Sequence, residues 1–186
     1  RDVQREYVEV AVLHLSLRLS ARPARLIELL HRAVPHPTLL LISTPESLQL
    51  SVSHKRWAQN EAGKTVLDGE ITTVTVPSAP QITAAFLEAI SLERQPRSEL
   101  SVFYQGWVDT LLALQAAQHT GSFRTANSPL DATARHQALQ GCIELQAEIT
   151  KVRGQAQKAQ QIARQVELNL QLKQLQHALS DAQAKL

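Results

Sequence analysis

The sequence predicts an α+β fold, in which a mixed β-α-β-β-β sheet is covered by helices and followed by a C-terminal α-helical hairpin or coiled coil. Three observations predict it. Runs of alternating apolar residues, rich in Val and Leu, recur within residues 1–77, and the first two of them flank a helical stretch. Residues 131–186 repeat apolar positions every three or four residues and contain no proline. We assign residues 1–77 to the sheet, 78–125 to covering helices of the same domain and 131–186 to the helical extension.

The first strand is expected within "EYVEVAVLHLSLRLS", Glu6–Ser20. Valines at positions 8, 10 and 12 lie on one face of an extended chain, and leucines at 13, 15, 17 and 19 lie on the other. Because both faces carry apolar residues, the pattern predicts a central strand buried on both sides, or a strand with a bulge.

A helix and a second strand complete a βαβ unit. The helix begins near Pro23 and ends before Pro35, and "TLLLIST" follows as a short apolar strand. A strand, a helix and a strand at this spacing predict a right-handed crossover between two parallel strands. "LQLSVSHKRW" and "TVLDGEITTVTV" then predict antiparallel strands, the second of them interrupted at Asp68-Gly69.

Two covering helices are predicted after Pro77 and Pro80. The second has Ser98 as its expected N-cap and Gly121 as its end. Its apolar stripe is expected to cover the sheet and consists of Phe103, Trp107, Leu111 and Leu114.

The helical extension carries an apolar stripe whose phase shifts midway. The shift predicts either one long helix with a stutter or two helices folded back around "RGQAQ", where Gly154 offers a break. We favour the antiparallel hairpin, because isolated helices of this composition need a surface to pack against.

Composition narrows the class of protein. The chain has 186 residues, 44% of them hydrophobic, and a formal net charge of +2, which neither requires nor excludes an acidic partner. One cysteine, Cys142, cannot form an intrachain disulfide and suits a cytoplasmic location. No run reaches the roughly 18 apolar residues of a membrane span. These features predict a soluble cytoplasmic protein without a membrane partner.

Motifs for catalysis are absent from the sequence. It has no glycine-rich phosphate loop, no cysteine pair at metal spacing and no nucleophile elbow. Glu9 and Lys55 suggest a metal-dependent nuclease, but Lys55 lacks an acidic residue two positions before it, so a degenerate or unrecognised nuclease is only a third alternative. We therefore predict no cofactor, no metal site and no catalytic residue.

Basic residues give a nucleic-acid hypothesis. In "HKRW" a base could stack on Trp57 while Lys55 and Arg56 contact phosphates, and Arg22 and Arg25 add a second basic face. The simpler interpretation, which we favour, is that Trp57 packs on the sheet and the cations, including Lys55, face water. DNA thus remains a possible partner.

The extension gives a protein-binding hypothesis. If the hairpin buries one stripe internally, a second stripe can receive a partner helix. The alternative is that the extension packs on its own domain or forms a homo-oligomer. Candidate partner-binding residues are Arg164, Val166, Leu168, Leu172, Leu175 and Leu179.

The segment "QQIARQVELNLQLKQLQHAL" resembles the end of a bacterial domain-of-unknown-function family, number 4391. "LIELLHRAVPHPTLLLIS" and "LQLSVSHKRW" resemble that family's helix–strand block and its next strand. The resemblance implies genes encoded beside helicases and DNA methyltransferases in restriction-like, phage-defence clusters. It also implies a further segment ahead of the first strand, and it carries over no active site. Arg164 and Glu167 are spaced to pair along the helix.

Together these observations predict a non-catalytic adaptor subunit of a bacterial DNA-defence or restriction-modification-type system. It is expected to dock on a helicase or methyltransferase through its C-terminal coil. Direct nucleic-acid binding is the alternative.

Overall fold

A computed structural model describes residues 5–18, 21–61 and 63–186, and it confirms the α+β class. The chain divides into two compact units, residues 1–125 and 126–186. The first contains the sheet and three helices, and the second contains two helices. The elements are β1 (Ala11–Ser16), α1 (Pro23–Ala33), β2 (Thr38–Ser43), β3 (Leu48–Trp57), β4 (Thr65–Thr75), α2 (Pro80–Ile90), α3 (Leu100–Thr120), α4 (Pro129–Lys158) and α5 (Ile162–Gln183).

The four strands lie in the order β1-β2-β3-β4. β1 and β2 are parallel, as the βαβ pattern predicts, and β3 and β4 add as antiparallel hairpins. The expectation that β1 is a central strand is wrong, because β1 is at the edge and, among the described residues, pairs only with β2. Its side chains alternate between half-buried and exposed instead of being buried on both faces.

An interruption in β4 is confirmed at Gly69. The register between β3 and β4 shifts between Val52 and His54, and Gly69 has a φ of +82°. This left-handed conformation suits glycine, which has no Cβ to clash with the backbone. Val52 pairs with Thr72 and His54 with Asp68, so β4 has more residues than β3 between these two pairs. The extra residues bend β4 away from a regular ladder.

Helices cover the sheet on two faces. On one face, Ile27 of α1 packs against Leu40 and Ile42 of β2. On the other, α2 and α3 form the larger core, which also confirms the predicted covering stripe of α3. This core includes Leu39, Leu50, Val52, Val74, Phe86, Tyr104, Trp107, Leu111 and Leu114.

The ends of α3 agree with the sequence prediction at one terminus only. Gly121 adopts a φ of +74° and caps the C-terminus, as expected. Ser98 is not the N-cap, because the helix begins one residue later with Glu99 as its cap, and no side chain caps it.

The second unit is an antiparallel helical hairpin. Nε of Arg135, near the start of α4, donates to the carbonyl of Leu186, 2.8 Å away at the end of the chain. Where α4 meets α5, Val152, Ala156 and Leu168 form a buried cluster. The predicted break at Gly154 is wrong, because α4 continues through that residue and the chain turns at residues 159–161.

Candidate functional site

A polar cleft opens in the first unit between the segment that precedes β1, the end of β3 and the start of α3. Its volume is about 620 Å³. Polar groups that line it include those of Arg5, Tyr7, His54 and Gln105, and Val8 contributes apolar surface. A cavity of this size is within the range of small-ligand sites, about 300–1,000 Å³.

A chain of hydrogen bonds crosses the floor of this cleft. The backbone N–H of Lys55 donates to the Tyr7 hydroxyl (3.0 Å), which lies 2.7 Å from Nδ1 of His54. Nε2 of His54 lies 2.9 Å from Oε1 of Gln105, and the Gln105 amide donates to Asp109 (2.8 Å). Because the amide oxygen can only accept, Nε2 of His54 carries the proton and Nδ1 accepts from Tyr7.

The surroundings of His54 keep it neutral. Burial lowers the pKa of its imidazole, and the nearby Arg5 guanidinium lowers it further, against smaller opposing effects of Gln105 and Asp68. The ring also packs edge-on against Tyr104, with centroids 5.3 Å apart. A neutral His54 held by two hydrogen bonds is a fixed element of the cleft and not an exposed acid or base.

A second polar cluster is buried between α1 and the sheet. Nε2 of His31 lies 2.9 Å from Oγ of Ser51, which also accepts from Thr73 (2.9 Å). The Lys55 ammonium donates to the His31 carbonyl. Burial, and then the charge of Lys55, lower the pKa of His31 to about 4. Because both His31 and Lys55 are almost wholly buried, this cluster has no open path for a substrate.

The interpretation that Lys55 faces water is wrong, since only 2% of the residue is exposed. Burial lowers the pKa of its ammonium group, and the nearby Arg32 guanidinium lowers it further. The sequence could not reveal this, because Lys55 takes the inward position only once α1 lies across β3.

The other predicted nucleic-acid residues lie in two places. Arg22 and Arg25 are exposed at the start of α1, near the end of β2. Arg56 and Trp57 lie at the opposite end of the sheet, because β3 runs antiparallel to β2. Arg56 also lies 3.7 Å from the carboxylate of Asp68, which offsets its charge. The five predicted residues therefore do not form one basic surface.

No group of three or more His, Cys, Asp or Glu side chains is arranged to hold a metal ion in the part of the chain that the structure describes. Across those same residues, no helix is both long enough and apolar enough to span a membrane.

The predicted partner-binding residues fall on two faces of α5. Leu168 is buried in the hairpin, and Leu172 and Leu175 pack around it, so these leucines form the internal seam. Leu179 is half-buried, one turn beyond Leu175. Arg164 forms the predicted ion pair with Glu167 (2.6 Å).

Val166 belongs to an exposed stripe on the outer face of α5. Ile162, Val166 and Leu170 lie four residues apart, and each is more than half exposed. At 100° per residue they lie roughly opposite Leu168 and Leu172. We call Ile162, Val166 and Leu170 the outer stripe. Sequence reasoning missed Ile162 and Leu170, although their spacing was visible.

Comparison with known protein families gives a match over most of the chain. The family model described as "Domain of unknown function (DUF4391)" matches residues 1–179, which confirms the resemblance inferred from the sequence. No curated protein and no solved structure matches the chain.

Proposed function

The chain belongs to the DUF4391 family, and from this membership we propose that it is a non-catalytic adaptor subunit of a bacterial DNA-defence or restriction-modification-type system. The adaptor docks on a helicase or a DNA methyltransferase and acts in the cytoplasm. The family resemblance implies a gene encoded beside helicases and DNA methyltransferases, and this gene neighbourhood supports the choice of partner. The observation that carries the proposal is the outer stripe of α5.

Three aliphatic side chains in a row on one helix are the arrangement that a groove on another protein recognises. Ile162, Val166 and Leu170 remain exposed although α5 already has an apolar seam against α4. Stability of the hairpin does not require a second apolar face, because Leu168 and its neighbours supply the packing. A partner that covers the outer stripe would stabilise the complex by about 1.5–3 kcal/mol for each fully buried side chain.

Charge favours a protein partner over DNA at this surface. Lys173 and His177 follow the outer stripe along the same face, but Arg164 is paired with Glu167 and His177 lies 3.1 Å from Asp181. A surface that contacts phosphates needs several uncompensated cations. The outer stripe therefore favours apolar contact within a polar rim, as in protein interfaces.

The test is co-purification of the tagged chain with the helicase and the methyltransferase encoded beside its gene. We compare the wild type with the double variant Val166→Asp/Leu170→Asp. The matched control is Gln171→Asp/Gln176→Asp, which adds the same charge to exposed positions of α5 that are not three or four residues from any member of the outer stripe. Circular dichroism checks that all three proteins keep their helix content.

We expect the wild type and the control to capture one of the two enzymes, and we expect the stripe variant to lose at least about tenfold in affinity, or about 1.4 kcal/mol. Equal recovery by the stripe variant would remove the outer stripe from the docking surface. Capture of neither enzyme, together with self-association that the stripe variant abolishes, would assign the outer stripe to a homo-oligomer instead.

A further inference from the structure

Helices cover the two faces of the sheet unequally. Two helices, α2 and α3, form the core on one face. On the other face, α1 lies over β2, β3 and β4. Neighbouring strands lie about 4.8 Å apart and a packed helix takes up about 8–10 Å, so a single helix is too narrow to cover four strands. The face that α1 covers therefore has room for a second helix, over β1.

The side chains of β1 show where this cover ends. Leu13, Leu15 and Leu17 point to the face that α1 covers, because Leu13 pairs with Leu40 of β2, which packs against α1. Leu40 and Ile42 are wholly buried, whereas the three leucines of β1 are only half-buried. A strip of apolar surface therefore runs along β1 beside α1.

One flank of α1 forms the other wall of this strip. His31 contacts Ser51 of β3, and Ile27 packs on β2. At about 100° per residue, Leu30 and Leu26 follow Ile27 in the same direction around the helix, so they face β1. Leu30 is half-buried, and Leu26 is 38% exposed. We call the space between the strand and this flank the α1–β1 groove and define it by Leu13, Leu17, Leu26 and Leu30.

The connection between β1 and α1 closes one end of the groove and carries two cations. Arg18 follows β1, and Arg22 is the N-cap residue of α1. The backbone N–H of Ala21 donates to the carbonyl of Arg18 (3.0 Å), so the chain turns tightly here. Both arginines are exposed, and neither forms an ion pair with any residue that the structure describes. The first turn of α1 contains no acidic residue, so these charges near the positive end of the helix dipole are uncompensated.

We propose that the α1–β1 groove binds a helix of another protein, about three turns long, that is apolar along one face and acidic at one end. Three turns span about 16 Å, and the six residues of β1 span about 20 Å, so the lengths match. The apolar face covers the leucines of the groove, and the acidic end meets Arg18 and Arg22. This site lies on the first unit, apart from the outer stripe, and gives the chain a second docking surface beyond its proposed function.

The composition of the groove favours such a helix over other occupants. A nucleic acid would neutralise Arg18 and Arg22 but would leave the leucines exposed, and two cations are few for a surface that contacts phosphates. The outer stripe of a second copy offers no free acidic end, because Glu167 beside it is already paired with Arg164. An acidic helix satisfies both the charge and the apolar surface.

Selection from a peptide library by the full chain tests the proposal. The probe is a phage-displayed library of peptides about 16 residues long, which is enough to sustain a helix. Four leucines at positions i, i+3, i+4 and i+7 are fixed, and the first and last turns are random. We expect the chain to select peptides that are acidic in one terminal turn. Selection of peptides without an acidic preference, or of no peptide, would overturn the proposal.

Variants of the chain test where the selected peptides bind. Fluorescence anisotropy should show at least about tenfold weaker binding to Leu26→Lys and to Arg18→Glu/Arg22→Glu. Circular dichroism should be unchanged in both variants, because Leu26 is exposed and glutamates at the start of α1 suit the helix dipole. A peptide with lysines in place of its acidic residues should prefer Arg18→Glu/Arg22→Glu to the wild type.

Three controls carry matched changes at exposed positions elsewhere. Leu87→Lys lies on α2, and Lys151→Glu/Arg153→Glu reverses two charges on α4. Both should bind the selected peptides like the wild type. Val166→Asp/Leu170→Asp should also bind them normally, so a failure of the outer stripe and a failure of the α1–β1 groove are distinguishable.

Three further results would overturn the proposal. The first is a peptide that binds Leu26→Lys as tightly as the wild type. The second is a wild-type dimer that Leu26→Lys dissociates in sedimentation, which would assign the groove to a second copy. The third is a DNA duplex that displaces no peptide but loses affinity for Arg18→Glu/Arg22→Glu, which would assign the two cations to nucleic acid.

Discussion

The Tyr7 hydroxyl lies 2.7 Å from Nδ1 of His54, although 47 positions separate the two residues in sequence. The same hydroxyl accepts the backbone N–H of Lys55 at 3.0 Å. Tyr7 thereby fastens the segment that precedes β1 to the far end of β3 and fixes the floor of the polar cleft.

Replacing Tyr7 with phenylalanine should loosen this attachment. Tyr7→Phe leaves the Lys55 N–H and Nδ1 of His54 without their partner, at an expected cost of about 1–3 kcal/mol in the free energy of unfolding. Urea titration measures the cost, and amide hydrogen exchange at Lys55 should accelerate. Trp57→Phe, at an exposed position of the same strand, should change stability by no more than about 0.5 kcal/mol. Unchanged exchange at Lys55 would contradict the attachment.

Stability should fall in mild acid because of His31. Its pKa is about 4 in the folded chain, against the ordinary histidine value of 6.5 that holds in the unfolded chain, so the unfolded chain binds more protons between these values. The stabilisation is complete above about pH 6.5 and is lost progressively towards pH 4, by up to about 3 kcal/mol. His54, whose pKa is also lowered by burial, adds in the same direction. Urea unfolding across this range measures the slope, which His31→Gln should reduce.

Removing the buried cation should raise the pKa of His31. The charge of Lys55 is the second cause of the lowered pKa, after burial, so Lys55→Met removes that contribution and leaves the burial. An NMR titration of the imidazole reports the change directly. Lys64→Met, at an exposed surface lysine, serves as the control. An identical His31 titration in Lys55→Met would show that the charge does not reach the ring.

Replacing either of two helical glycines with alanine should change stability, and the two changes should have opposite signs. A Cβ at Gly106 would overlap Oε1 of Gln95 and lie 3.0 Å from Cδ of Pro96. Gln95 cannot easily move, because its amide donates to two carbonyls, so Gly106→Ala should cost about 1–3 kcal/mol. Gly154 has open space, and Gly154→Ala should stabilise α4 by about 0.5–1 kcal/mol. Hydrogen exchange within each unit measures both, and a stable Gly106→Ala chain would contradict the close contact.

Replacing two leucines of α5 with alanine should destabilise the hairpin to very different extents. Leu168→Ala leaves a cavity against Val152 and Ala156, and the hairpin should lose about 2–5 kcal/mol. Leu170→Ala, on the outer stripe, should stay within about 0.5 kcal/mol of the wild type. Exchange rates of amides in residues 126–186 are the measurement. Equal losses in both variants would place the seam elsewhere.

The sequence predicted elements well where one local signal dominates. The βαβ unit, the interruption at Gly69 and the end of α3 at Gly121 were all visible as strand patterns or glycines at turns. The position of β1 was not visible, because apolar residues on both faces of a strand are found at an edge as well as at the centre of a sheet. Only the pairing order distinguishes them.

Tertiary packing explains the features that were predicted wrongly from the sequence. Gly154 is a weak helix former, but Val152 and Ala156 on either side of it pack against Leu168, and this contact outweighs a cost of about 1 kcal/mol. Similarly, the sequence around Lys55 is typical of a cation at the surface. Lys55 is buried because α1 crosses over β3. The cleft of Tyr7 and His54 joins distant segments, so no local pattern could indicate it.

The bend at Gly69 has a consequence for assembly. It breaks the straight run of backbone groups along β4, so the sheet has one irregular border and one regular border. A sheet with two regular borders can recruit copy after copy and grow into a fibril. The bend therefore protects β4, the strand at the irregular border, from pairing edge to edge with another molecule.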